Sequence, residues 1–298
     1  MKIDRRQVLG LLGAGAATPA CATPPPTYAG PVEFLHGVAA GDPTPQGAVL
    51  WTRITPADPV PGVSIPVQVE AWPWEEGPPE ATMPGLAAVA TSAERDWTVK
   101  VDINRLQPGC DYGYRFSVAG RPAARSPIGR FRTLPAPQST EAVVLAVASC
   151  SLYPGGWFNA YQAIAELDRV DAVVHLGDYI YEYGAAPSDY GMRTGLELNR
   201  IPEPPHEIVT LADYRQRHAQ HKADPQAQAA HARAAWILTF DDHEVTNDPW
   251  EGGAQNHNAG EGDWAARKAA ALTAYLEWNP IRDPAPGQPL HEAVRRSF

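Results

Sequence analysis

The stretch Ala172-Val173-Val174-His175-Leu176-Gly177-Asp178-Tyr179-Ile180-Tyr181-Glu182 changes character in its middle. Its first five residues read as a buried strand, and from Gly177 onward the chain turns polar, aromatic and acidic. The same grammar occurs twice more. Val143-Val144-Leu145-Ala146-Val147-Ala148, a run suited to burial on both faces, leads into Ser149-Cys150-Ser151. Trp236-Ile237-Leu238-Thr239-Phe240 leads into Asp241-Asp242-His243-Glu244-Val245-Thr246-Asn247-Asp248. Between the first two strands, Trp157, Tyr161 and Ile164 fall at i, i+4, i+7, predicting a helix that runs to about residue 167. The unit is therefore βαβ, with parallel strands and a right-handed crossover. Helix is expected over 211–235, interrupted near Asp224-Pro225, and again over 263–278, where Asn279-Pro280 stops it.

Parallel strands bring their carboxyl ends together, and ligands of open α/β sheets bind there. One shared site should therefore gather a cysteine, several carboxylates, a tyrosine, a histidine and an asparagine. Four or more acids with no lysine or arginine nearby repel one another unless a cation sits between them. Carboxylate and amide oxygens suit hard cations, whereas thiolate and phenolate suit trivalent iron or another transition metal, so the mixed set implies more than one metal. Asp241 and Asp242 are neighbours and would point to opposite faces of a strand. Asp242 is the expected ligand, with Asp241 behind it.

Outward from this core, the region from about 32 to 135 has a different period. Short alternating strands around 48–51, 67–72, 97–101 and 112–118, separated by turns, predict an all-β sandwich. Leu106-Gln107-Pro108-Gly109-Cys110-Asp111-Tyr112 resembles the tyrosine corner of such sandwiches, with Cys110 read as a packed small hydrophobe. Net charge is −10 and the 24 basic residues are scattered, which argues against nucleic-acid binding. No apolar run after the N-terminus reaches the roughly 18 residues of a membrane-spanning helix. Residues 1–30 begin with Lys2, Arg5 and Arg6, continue through a weakly apolar, glycine-rich stretch and end near Ala20-Cys21-Ala22. This reads as a twin-arginine signal for the corresponding export machinery, with lipid anchoring at Cys21 as an alternative, and predicts a periplasmic or secreted protein.

The strand-end motifs together resemble the PhoD-type alkaline phosphatases and phosphodiesterases of the calcineurin-like metallophosphoesterases. Gly177-Asp178-x-x-Tyr181 is similar to the metal-bridging aspartate and iron-ligating tyrosine of the purple acid phosphatase type. Further similarity lies in Phe34-Leu35-His36-Gly37-Val38-Ala39-Ala40-Gly41-Asp42-Pro43, Leu50-Trp51-Thr52-Arg53, Leu211-Ala212-Asp213-Tyr214-Arg215 and Tyr275-Leu276-Glu277-Trp278-Asn279-Pro280-Ile281-Arg282. The resemblance implies an Ig-like or fibronectin-like β domain over 31–137 and a metallophosphoesterase core over 138–298. It implies an exported hydrolase of small phosphate esters carrying Fe(3+) and Ca(2+). Cys150, Asp178 and Tyr181 would match the iron side, Asp178 bridging. Asp242 and Asn247 would match ligands of the other metals or contacts to phosphate, and His243 would assist the leaving group.

The family resemblance also implies a second half with a histidine-bearing metal loop. Here the sequence stops at Arg295-Arg296-Ser297-Phe298. The expectation is a truncated core with an unpaired sheet edge and exposed apolar faces. Its functional alternative is a metal-binding fragment without catalysis.

Overall fold

A computed structural model describes residues 25–79 and 87–289. The expected signal segment as far as residue 24 and the strand start expected at 295–298 lie outside the described residues.

Two sheets carry the molecule. The β-rich region supplies β1 (Val38–Thr44), β2 (Gly47–Arg53), β3 (Ile65–Pro73), β4 (Ala87–Thr91), β5 (Thr98–Ile103), β6 (Asp111–Val118), β7 (Arg121–Arg125) and β8 (Gly129–Arg132). The later region supplies β9 (Leu145–Ala148), α1 (Asn159–Ala165), β10 (Ala172–His175), α2 (Met192–Leu198), α3 (Leu211–Ala223), α4 (Pro225–Arg233), β11 (Ala235–Leu238) and α5 (Trp264–Trp278). One sheet runs β8-β6-β3-β4, with β7 beside β6, and is antiparallel. The other runs β9-β10-β11-β1-β2-β5. Its strands are parallel from β9 to β1 and antiparallel from β1 to β5.

Alternation along the strands explains why these sheets face each other. Val67, Val69, Tyr114, Phe116 and Phe131 meet Val38, Ala40, Leu50, Val99 and Val101 in one core, so the first region is a two-layer sandwich. The Tyr112 hydroxyl accepts the Gln107 N–H at 3.0 Å, closing the expected corner. The two regions are not separate sheets, however. Ala235 and Trp236 of β11 register against Ala40 and Gly41 of β1, so three strands of the sandwich extend the parallel sheet.

Aromatic side chains seal this seam. Trp51 and Trp278 are fully buried, with ring centroids 5.9 Å apart, and the Trp51 indole N–H donates to the Glu277 carbonyl at 2.8 Å. Arg215 grips Glu277 through two 2.7 Å hydrogen bonds between α3 and α5. Arg282 binds Asp42 and Asp102. The motifs around Trp51, Arg215 and Trp278 thus build the junction rather than the site.

The α5 boundary matches expectation, with Asp263 as its N-cap accepting the Ala266 N–H. Asp224 caps α4 by accepting the N–H groups of Gln226 and Ala227, which explains the break before Pro225. Three expectations need correction. β9 is not buried on both faces: it is the sheet edge, with Leu145 50% and Val147 63% exposed. An apolar run shows that a strand could be buried; only a neighbour on its open side would bury it. Trp157 precedes α1 and is exposed, while Tyr161 and Ile164 pack inward. Cys110 sits in the exposed turn before β6 rather than in the core.

Candidate metal centre

Each parallel strand ends in a turn that aims polar groups at one place. After β9, Cys150 adopts a left-handed φ of 60°, and after β10 Asp178 does so at 54°. Gly177 between them has φ 108°, and a Cβ there would collide with Asp241, so the β10 and β11 turns approach as closely as they do because residue 177 is glycine. The Cys150 N–H donates to the Gly177 carbonyl at 3.2 Å, joining the β9 and β10 turns.

Asp178 is the hub. Its Oδ2 accepts the Tyr181 hydroxyl at 3.1 Å and lies 3.5 Å from Cys150 Sγ. Its Oδ1 is buried with no hydrogen-bond partner among the described residues. Burial raises its pKa, while the nearby His243 and Tyr181 oppose that shift. One ligand atom each from Asp178, Asp242 and His243 fall within 4.8 Å of one another. The donor chemistry fits cations: an orphaned carboxylate oxygen, a second carboxylate and an imidazole lie beside a thiol and a phenol. Burial, reinforced by the Asp178 charge, pushes the Tyr181 hydroxyl well above its ordinary range, so phenolate forms there only against a positive charge.

Two buried glutamates that the sequence reading quoted without a role hold these groups. Glu244 accepts the N–H groups of Asp178 (3.1 Å), Tyr179 (2.6 Å) and Asp241 (2.8 Å), although burial lifts its pKa to about 7. Glu182 accepts His243 Nδ1 at 2.8 Å, together with the Asn247 N–H and the Asn256 amide, both at 2.9 Å. Burial works against the Glu182 charge, but the hydrogen bonds from His243 and Asn256 outweigh it and lower its pKa. For His243, burial is likewise outweighed by Glu182, and the imidazole pKa is raised. Its ring also lies on Tyr181, with centroids 4.4 Å apart, which leaves Nε2 as its working nitrogen.

The remaining expected residues sit at the margin. Asp242 Oδ2 accepts the Asp248 N–H at 2.8 Å. Asp241 is exposed and accepts the Asp242 N–H. The Asn247 amide donates to Asp248 (3.1 Å) and Gln255 (3.0 Å). Their place in the acidic strand-end loops was the available signal for Glu182 and Glu244.

Comparisons with known proteins bear on this arrangement. The family model for PhoD-like phosphatase matches residues 145–298, and that for the PhoD-like phosphatase N-terminal domain matches residues 20–135. Alkaline phosphatase D of Bacillus subtilis (strain 168) is 39% identical over 254 residues, covering 84% of this chain and 41% of that protein. A solved structure of PhoD superposes with a TM-score of 0.72 at 34% identity, covering 89% of this chain and 50% of that one. The chain spans half or less of the length of these relatives.

Proposed function

Because the chain belongs to the PhoD-like phosphatase family, we propose that its strand-end cluster hydrolyses phosphate monoesters or diesters with water as the nucleophile. One observation carries the reading: the buried Asp178 carboxylate, whose Oδ1 has no hydrogen-bond partner among the described residues, faces Cys150 and Tyr181 through Oδ2 while sharing a cluster with Asp242 and His243. Fe(3+) held by Cys150, Asp178 and Tyr181, and Ca(2+) held by Asp178 and Asp242, would neutralise phosphate charge and supply a water of lowered pKa. Asn247 joins that set if its amide leaves Asp248 and Gln255.

The chain's own residues then have separable tasks. Glu244 fixes the Asp178 and Asp241 backbones, so the carboxylates need not reorganise as charge develops. Glu182 orients His243 and favours its protonated form, which suits the imidazole to give a proton to the departing alcohol oxygen. In chain loaded with both metals, His243→Ala is expected to slow hydrolysis of an alkyl phosphate about 10²–10⁴-fold. Hydrolysis of p-nitrophenyl phosphate, whose leaving group needs little protonation, should suffer far less. Equal losses on both esters would remove the proton-donor role.

The open β9 edge beside exposed Cys150 favours a second reading, metal binding without turnover. Tight metal uptake with neither ester hydrolysed would select it. The Ig-like assignment of the first region rests on its packed sheets and its Tyr112 corner. We read Arg5-Arg6 and the apolar stretch after it as a twin-arginine export signal. No helix among the described residues is long and apolar enough to cross a membrane. Fusing residues 1–30 to a reporter tests the signal, and export insensitive to Arg5→Lys/Arg6→Lys would reject the twin-arginine route.

A further inference from the structure

A fully buried hydrogen-bonded circuit surrounds Asp178 without touching its carboxylate. The Gly177 N–H donates to His175 Nδ1 at 3.4 Å. An N–H can only donate, so Nδ1 must accept. Burial keeps the ring neutral, lowering its pKa to about 3, so the ring proton resides on Nε2. That nitrogen lies 2.9 Å from the Tyr161 hydroxyl, which in turn donates to Ser151 Oγ at 2.8 Å. The single Ser151 hydroxyl proton then has the carbonyls of Tyr179 at 3.2 Å and Asp178 at 3.4 Å as acceptors. The circuit links the N–H before Asp178 to the carbonyls of Asp178 and Tyr179, and His175 Nε2 also lies 3.3 Å from Ser151 Oγ.

The same serine ties the circuit to the other ligand turn. Its N–H donates to the Asp178 carbonyl at 2.8 Å, its carbonyl accepts from His221 Nε2 at 3.1 Å, and it directly follows Cys150. His175 is further fixed by stacking on Trp236. Both Cys150 and Asp178 hold left-handed backbones, which persist only where the surrounding structure over-determines them. His175 does not belong to the Asp178, Asp242 and His243 group.

We propose that Ser151, Tyr161 and His175 are positioning residues that set the separation and orientation of Cys150 and Asp178 for an iron-type cation, with His175 acting as the Nε2–H tautomer. The proposal rests on the metal reading above for its ligand, but not for its circuit. Two measurements separate them. In metal-free full chain, ¹⁵N-histidine NMR should show His175 as neutral Nε2–H with a slowly exchanging proton. An Nδ1–H tautomer or a freely exchanging ring proton overturns the circuit whatever the metal chemistry.

Ferric-ion titration of the full chain, followed by visible absorption, supplies the second measurement. Tyr161→Phe and Ser151→Ala should weaken uptake at least tenfold and shift the band, with Ser151→Thr restoring most of the affinity. Ile164→Val, a cavity change on the same helix, is the control for mere destabilisation and should leave uptake and band unchanged. Equal effects from the control, or none from Tyr161→Phe, overturn the positioning role. If the unaltered chain takes up no ferric ion, the metal reading and this role both fall, while the tautomer measurement still judges the circuit.

Discussion

Two stretches of the mixed sheet, its central seam and its β9 edge, differ in how completely they are closed. At the β11–β1 seam, Trp51, Trp236 and Trp278 are fully buried, and Arg215, Arg282 and Lys222 are hydrogen-bonded. At the β9 edge, Leu145, Val147 and Trp157 are half exposed or more, and the Cys150 thiol is open. The seam is finished by packing, whereas the site is organised by hydrogen bonds to buried carboxylates. Stability is therefore expected to live at the one and chemistry at the other.

Acid should have the largest effect, through buried histidines in both regions: His36 beside Trp278 at the seam, and His175 and His221 behind the site. His36 and His175 have pKa values lowered to about 3 and His221 to about 4, with burial the leading cause. The folded chain then binds fewer protons than the unfolded chain below the ordinary histidine pKa, so their stabilisation is complete above about pH 6.5 and lost as pH falls. Each such histidine removes about 1.4 kcal/mol per pH unit in that window. Urea midpoints should drop steeply between about pH 6 and 4; a flat profile would mean these imidazoles are not held neutral.

Trp278→Ala tests the seam directly, with an expected loss of about 3–5 kcal/mol in equilibrium unfolding. Gly177→Ala, between the two stretches, should cost about 1–3 kcal/mol through its positive φ and the collision with Asp241. It should also disturb ferric-ion uptake, which Trp278→Phe should not. Val147→Lys at the open edge should change stability by no more than about 0.5 kcal/mol while reducing self-association in sedimentation. A loss there as large as that of Trp278→Ala would mean the β9 edge is covered in solution.

This contrast also explains what could be read in advance. The helix over 263–278 was legible because Asp263 caps it and Asn279-Pro280 ends it, and the βαβ unit because its apolar periods switch cleanly. The strand-end turns exposed Asp178, Asp242 and His243 as a group because ligand sites collect at the carboxyl ends of parallel strands. Sequence could not show that β1 would join β11, since that pairing depends on partners almost 200 residues apart. An unpaired sheet edge was expected, but sequence could not say that β9 would carry it, because an apolar run reads the same at an edge and in the middle of a sheet. Glu182 and Glu244 were hidden for a related reason: a carboxylate reveals that it holds backbone N–H groups only once those loops have met. Tryptophan-containing motifs at the seam looked as functional as those at the site, because packing leaves signatures as specific as chemistry does.

The central claim is that the Asp178 carboxylate joins cations to this cluster. Equilibrium dialysis of the full chain against ferric and calcium ions, compared with Asp178→Asn, tests it most directly. The account predicts retained iron and calcium in the unaltered chain and at least a tenfold loss of both in Asp178→Asn, with unchanged thermal stability of the metal-free proteins. Equal metal content in the two chains would contradict it.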